Sequence, residues 1–238
     1  MRHGTAIAGF RLGILCIDTC HPLVPGNVQH AESFSFPVCY EVVRGVSPRA
    51  LMEGDERSVP AIVDAAKRLE ASGVSAIVGA CGSFANFQRE VAQALTVPVF
   101  MSILLEVPFV LSALPPQQQL GVIFARVSSY TDRVRRQCDI REPERVVAIG
   151  AEVLPAFQPI LDQAGDLNSP ALESELIGLA RQSLAAHPAI GAWLIQCSDL
   201  PPYAASLRRA TGLPVFDMVT LIEHIGTALR PREFAGQL

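Results

Sequence analysis

Two stretches of this 238-residue chain follow one pattern, 116 positions apart. Residues 76–83 read Ala-Ile-Val-Gly-Ala-Cys-Gly-Ser, and residues 192–199 read Ala-Trp-Leu-Ile-Gln-Cys-Ser-Asp. In each, a short apolar run ends in a cysteine and passes through small polar residues into a helix-like pattern. That order predicts a buried parallel strand delivering a thiol to the carboxyl edge of a sheet, where open α/β folds hold their ligands.

Further anchors share the doubling. Val97-Pro98-Val99-Phe100 repeats as Leu213-Pro214-Val215-Phe216 at the same spacing, and Gly13-Ile14-Leu15 repeats as Gly121-Val122-Ile123 after 108 positions. Nearly constant offsets predict a duplicated four-stranded α/β unit. The expected fold is therefore two pseudo-symmetric domains, each a four-stranded parallel sheet flanked by helices, with a cleft between them. The first is expected over 11–114 plus 218–238 and the second over 115–217. Facing units would bring both strand-end thiols to one interdomain site.

Periodicity places the elements. Strands are expected near 11–17, 35–43, 74–80, 97–101, 120–125, 145–149, 189–196 and 214–216. Helices are expected over 56–72, 85–95, 104–114, 128–138, 151–164, 170–186, 202–211 and 218–229. Ser128 to Thr131 reads as the cap of one helix and Ser169 as the cap of another. Glu106, inside the most apolar window, calls for a buried partner or a cleft edge.

Half the residues are apolar and under a fifth are charged, the balance of a globular chain. A net charge of −4, with no aromatic and basic residues interleaved, speaks against nucleic acid. Pro98, Glu106 and Pro108 break the most apolar window, so no membrane span is expected. The N-terminal stretch carries no apolar leader, which makes the cytoplasm the expected compartment and free thiols the expected state of the six cysteines. Cys16, Cys20 and His21 lack a fourth ligand, so no metal site is expected. No phosphate-binding glycine loop occurs, so no nucleotide cofactor is expected.

The strand-end Asp18-Thr19, the two cysteine motifs and the Val-Pro-Val or Leu-Pro-Val strand after each make the chain similar to the aspartate/glutamate racemase superfamily, from Gly13 to about Leu229. Where amino-acid racemases typically have Cys-Asn-Thr, this chain has Cys81-Gly82-Ser83. Where they typically have Cys-Thr-His, it has Cys197-Ser198-Asp199. Gly82 has no amide to offer a substrate, and Asp199 sets a carboxylate beside the second thiol.

The resemblance implies a cofactor-independent racemase or epimerase acting on an amino acid or related small-molecule carboxylate, in a homodimer. One thiolate would remove the proton α to a carboxylate, and the other thiol would return one from the opposite face. On this reading Cys81 and Cys197 are catalytic, with Asp18 and Asp199 orienting or deprotonating them. Thr19, Gly82, Ser83 and Ser198, with Ser128 and Ser129 at a helix start, would bind substrate. Within the superfamily, cis–trans isomerisation by thiol addition and decarboxylation stay open. So does a silent homologue that binds without turnover, which the departures at Gly82 and Asp199 keep in play.

Overall fold

The computed structural model describes residues 9 and 11–233; the expectations resting on the extreme N-terminus and on 234–238 lie outside these. Along the chain come strands β1 (Leu12–Cys16) and β2 (Val38–Val42), helices α1 (Pro48–Glu53) and α2 (Val59–Ala71), β3 (Ala76–Gly79), α3 (Gln88–Ala94), β4 (Val99–Phe100) and α4 (Val107–Ala113). The second half follows with β5 (Gln119–Phe124), α5 (Asp132–Gln137), β6 (Val146–Gly150), α6 (Gln158–Leu161), α7 (Ser169–Ala186), β7 (Ile190–Ile195), α8 (Ala204–Thr211), β8 (Val215–Asp217) and α9 (Met218–Ala228).

The strands form two parallel sheets of identical topology, β2-β1-β3-β4 and β6-β5-β7-β8. The duplication extends to register: Gly13 pairs with Cys39 in the first sheet, and Gly121 with Val147 in the second, each shifted by 108. Ile77 pairs with Val99 and Trp193 with Val215, each shifted by 116. Part of the difference lies in the connecting helices, since α7 has 18 residues against 13 in α2.

Alternation along each strand sorts side chains between two faces. Leu12 and Ile14 of β1 and Val78 of β3 share a core with Leu120 and Val122 of β5, Leu194 of β7, and Met218 and Ile222 of α9. The inner faces of both sheets thus contribute to one interior, with α4 and α9 supplying further side chains. The outer faces are covered separately. Leu15 and Ile77 pack with Ile62, Ala66 and Leu69 of α2, while Ile123 and Trp193 pack with Leu172, Leu176 and Ala180 of α7. Strands covered on both faces need the continuous apolar runs that the sequence shows.

Several boundaries differ from expectation. Residues 151–164 do not make one helix but two short 3₁₀ turns and the four-residue α6, because Pro155 and Pro159 lack the N–H a continuous helix would use. The cap of α7 is Asn168, whose side chain accepts the Ala171 N–H. Ser169 instead shares a hydrogen bond with the Tyr203 hydroxyl at 2.9 Å. Thr131, rather than Ser128 or Ser129, caps α5 through the Val134 N–H. Helix α1, started by Ser47 and Pro48, was not expected, although a serine cap followed by proline is a helix-start signature. The closing helix α9 carries a capping box between Asp217 and Thr220 and packs on the first half through Gly226 against Phe36.

Candidate functional site

The chain leaving β3 reaches Cys81, and the chain leaving β7 reaches Cys197; both thiols line one cavity of ≈ 70 Å³. The lining obeys the internal symmetry. Ile17 and Ala125, and Met52 and Ile160, are counterparts 108 positions apart. Cys81 and Cys197, Gly82 and Ser198, and Ser83 and Asp199 are counterparts 116 apart. The cavity therefore sits where the two halves meet at the carboxyl ends of their central strands, as the duplication anticipated. Pro48, Phe157 and Leu161 add apolar wall, while His21, Gln163 and Gln196 add polar groups. Among the described residues no lysine or arginine lines it.

The same scaffold position has opposite polarity in the two halves. Burial pushes the Cys81 thiol up from its ordinary pKa, while the N–H and hydroxyl of Ser83 act to bring it down and Asp199 acts to raise it. Burial also pushes the Cys197 thiol well above its ordinary pKa. There the Asp199 carboxylate adds to the rise, both by its charge and by accepting from the thiol, with Sγ 3.6 Å from Oδ2. Cys81 is thus the easier of the two to ionise, and Cys197 is held as a thiol.

Asp199 is anchored by the loop after β1. Its Oδ1 accepts from Asn27 Nδ2 at 2.6 Å and from His21 Nε2 at 2.8 Å, and the His21 side chain is only 2% exposed. Gln163 fixes the ring from behind. Its Oε1 accepts the Cys20 N–H at 3.1 Å and its Nε2 donates to the Ile160 carbonyl at 2.9 Å, so Nε2 faces His21 Nδ1 at 3.3 Å. With an N–H aimed at Nδ1, the ring proton lies on Nε2, toward Asp199. The imidazole touches the carboxylate and not the sulfur, so the group is not a Cys–His–Asp nucleophile triad.

Gly82 has a structural reason. A β-carbon there would stand 2.2 Å from Gln196 Nε2 and 2.3 Å from the Gln196 carbonyl oxygen. The missing side chain makes room for Gln196 from the other half, whose amide accepts and donates no hydrogen bond within the described residues and lines the cavity. An amide thus reaches the place where the first motif carries none.

Of the residues singled out in the sequence, the structure brings together Cys81, Gly82, Ser83, Cys197, Ser198 and Asp199. Asp18 and Thr19 do not line the cavity. Gln29 pairs with both the N–H and the carbonyl of Ile17, turning Ile17 inward, and the alternation of an extended chain leaves Asp18 exposed. Ser128 is exposed, and the Ser129 hydroxyl is used by the Arg126 carbonyl at 2.7 Å. Asn27, Gln163, Gln196 and Met52 were not singled out. Gln196, a polar residue ending an apolar strand beside Cys197, carried a readable signal; Asn27 and Gln163 come from loops with none. Among the described residues no three His, Cys, Asp or Glu side chains are grouped to hold a metal, and no helix is long and apolar enough to cross a membrane.

The family model for Asp/Glu/hydantoin racemase matches residues 27–222. Dimethylsulfoniopropionate lyase 7 of Emiliania huxleyi (strain CCMP1516) is 31% identical over 220 residues, covering 88% of this chain and 64% of that one. The chain therefore spans somewhat under two thirds of that relative's length. Unliganded arylmalonate decarboxylase superposes with a TM-score of 0.55 at 14% identity, covering 96% of this chain and 97% of that one. Glutamate racemase from Francisella tularensis subsp. tularensis SCHU S4, in complex with D-glutamate, gives a TM-score of 0.55 at 15% identity, covering 92% and 80%. The structural likenesses establish the shared two-sheet fold.

Proposed function

We propose, for a chain that belongs to the Asp/Glu/hydantoin racemase family, a cofactor-independent lyase activity on a carboxylate bearing a sulfonium group at its β carbon, with dimethylsulfoniopropionate as the substrate to test first. The observation that carries this reading is the charge of the cavity wall, which contains the Asp199 carboxylate and, among the described residues, no lysine or arginine. A dicarboxylate would bring a second negative charge against Asp199, whereas a zwitterion brings a cation to it. The apolar wall of Met52, Phe157 and Leu161 suits the methyl groups of a sulfonium, and the Phe157 ring offers a cation a π-face. The Ser198 hydroxyl and the Gln196 amide are the donors for the substrate carboxylate.

The Cys81 thiolate takes the α proton. The C–H electron pair becomes the new Cα–Cβ double bond, the Cβ–S bond breaks, and its pair stays on sulfur. Neutral dimethyl sulfide and acrylate leave, and the Cys81 proton passes to solvent. The leaving group needs no proton, so elimination requires one base, and the Cys197 thiol, which donates to Asp199, gives up no proton in the reaction.

A second reading, racemisation or epimerisation of an amino acid or related carboxylate, is favoured by the symmetric placement of two thiols on one cavity. One assay separates the two. The chain is incubated with dimethylsulfoniopropionate while dimethyl sulfide is followed by gas chromatography. In parallel, α-proton exchange in D2O is followed over glutamate, aspartate and hydantoins. Dimethyl sulfide release abolished in Cys81→Ser supports the lyase. Exchange into an amino acid without release supports racemisation, and neither signal overturns both.

A further inference from the structure

A second cavity, of ≈ 310 Å³, lies where β4, α4 and α9 meet, and it shares no lining residue with the thiol cavity. Its volume falls at the lower end of small-molecule sites, about 300–1,000 Å³. The wall is almost wholly hydrocarbon, with Phe100 at the end of β4, Phe109 on α4, and Leu221 and Ile225 on α9. Phe109 is 64% exposed at the rim, a large ring left in water beside an apolar hollow.

The polar groups of this wall are Glu106 and His224. The Glu106 side chain is only 13% exposed, yet no described residue donates a hydrogen bond to its carboxylate. Its ionic contact is His224 Nδ1 at 4.0 Å, the outer limit for such a pair, and His224 is itself 72% exposed. Burial pushes the Glu106 pKa up, His224 acts to lower it, and the nearby Asp217 carboxylate adds to the rise. A carboxylate set in an apolar wall without a donor is costly, and a bound donor would remove that cost.

The geometry points to a second small-molecule site between α4 and α9 that takes an organic ammonium ion with an apolar tail of about six to eight carbons. The ammonium donates to Glu106, to which no described residue donates a hydrogen bond. The tail lies along Leu221, Ile225 and Phe100, and the exposed Phe109 ring covers the mouth, giving a cation near Glu106 an aromatic face as well. This site explains why an acidic residue stands inside the most apolar window of the sequence.

Calorimetric titration of the full chain with n-hexylammonium, 1-hexanol and hexanoate tests the assignment. The expected result is hexylammonium binding at least about tenfold more tightly than hexanol, the scale of one charge-assisted hydrogen bond. Hexanoate is expected to bind more weakly than hexanol. Glu106→Gln, checked for unchanged melting, should bring hexylammonium down to the hexanol level while leaving hexanol binding as it was. Equal affinities for hexylammonium and hexanol in the wild type, binding indifferent to Glu106→Gln, or no binding of either would overturn the site. Light scattering that shows a dimer dispersed by Phe109→Asp would also overturn it, since a second copy would then fill the hollow.

Discussion

Cys197 Sγ lies 3.6 Å from Asp199 Oδ2, whereas Cys81, its counterpart in the first half, has Ser83 where Cys197 has Asp199. Equivalent positions thus give each thiol a backbone N–H, and add a hydroxyl beside one and a carboxylate beside the other. A donor favours the thiolate and a carboxylate favours the thiol. The fold is symmetric and its acid–base chemistry is not, which makes the two sulfurs unequal partners.

That inequality sets the expected mutant kinetics. Cys81→Ser should lower kcat/KM for dimethyl sulfide release by about 10²–10⁴-fold, the usual contribution of a positioned base. Cys197→Ser keeps a donor in place and should cost about tenfold or less. Steady-state assays of both variants, with melting curves to confirm folding, check this. Equal losses would instead indicate that both thiols move protons, as racemisation requires.

The pH dependence follows from the direction of the Cys81 shift. Its pKa is raised from the ordinary 9.0, so the thiolate base is a minority species at neutral pH. The rate constant kcat/KM should rise through neutrality and still be rising at pH 9.0. Asp199→Asn removes a negative charge that opposes ionisation of both thiols, so it should move the rising limb to lower pH. A pH–rate profile of wild type and variant measures the displacement; a shift to higher pH would contradict it.

Gly82 and Gln196 should separate stability from binding. Gly82→Ala places a β-carbon 2.3 Å from the Gln196 carbonyl oxygen, which belongs to the other half and cannot swing aside. The expected cost is about 1–3 kcal/mol, read as a fall in the melting temperature. Gln196→Ala removes only the amide, so it should melt close to wild type and raise KM with a smaller effect on kcat. The double variant should recover part of the lost stability and not all, because the carbonyl remains.

The loop that anchors Asp199 should matter to folding as well. Asn27→Ala removes the 2.6 Å bond to a carboxylate that is 14% exposed, leaving it with His21 as its remaining side-chain N–H donor among the described residues. A loss of about 1–3 kcal/mol is expected from urea denaturation midpoints. The same variant, by freeing Asp199 to move, should also weaken the distinction between the thiols, seen as a smaller gap between Cys81→Ser and Cys197→Ser in its background.

The duplicated α/β plan, the eight strands, the thiols at equivalent strand ends and the sharing of one cavity were all legible in the chain. Each rests on short-range patterns: apolar runs bounded by turn residues, and a repeat at near-constant spacing. What remained illegible depends on contacts between residues far apart in sequence. Nothing local announces that Asn27 and His21 reach Asp199, or that Gln163 fixes the His21 ring, because those bonds span more than 140 positions. Asp18 and Thr19 sit at the expected strand end, yet neither lines the cavity, and the pairing of Gln29 with Ile17 leaves Asp18 exposed.

Repetition in the sequence determined that two like sheets would form and that a cysteine would stand at the end of one strand in each. Only the tertiary structure decided what each sulfur meets. The vacancy at Gly82 admits an amide from the opposite half, and the β1 loop crosses over to hold a carboxylate that accepts a hydrogen bond from one of the two thiols. The reason is physical: periodicity and turn chemistry act over a few residues, whereas the ionisation of a buried thiol responds to every charge and donor that packing brings within reach.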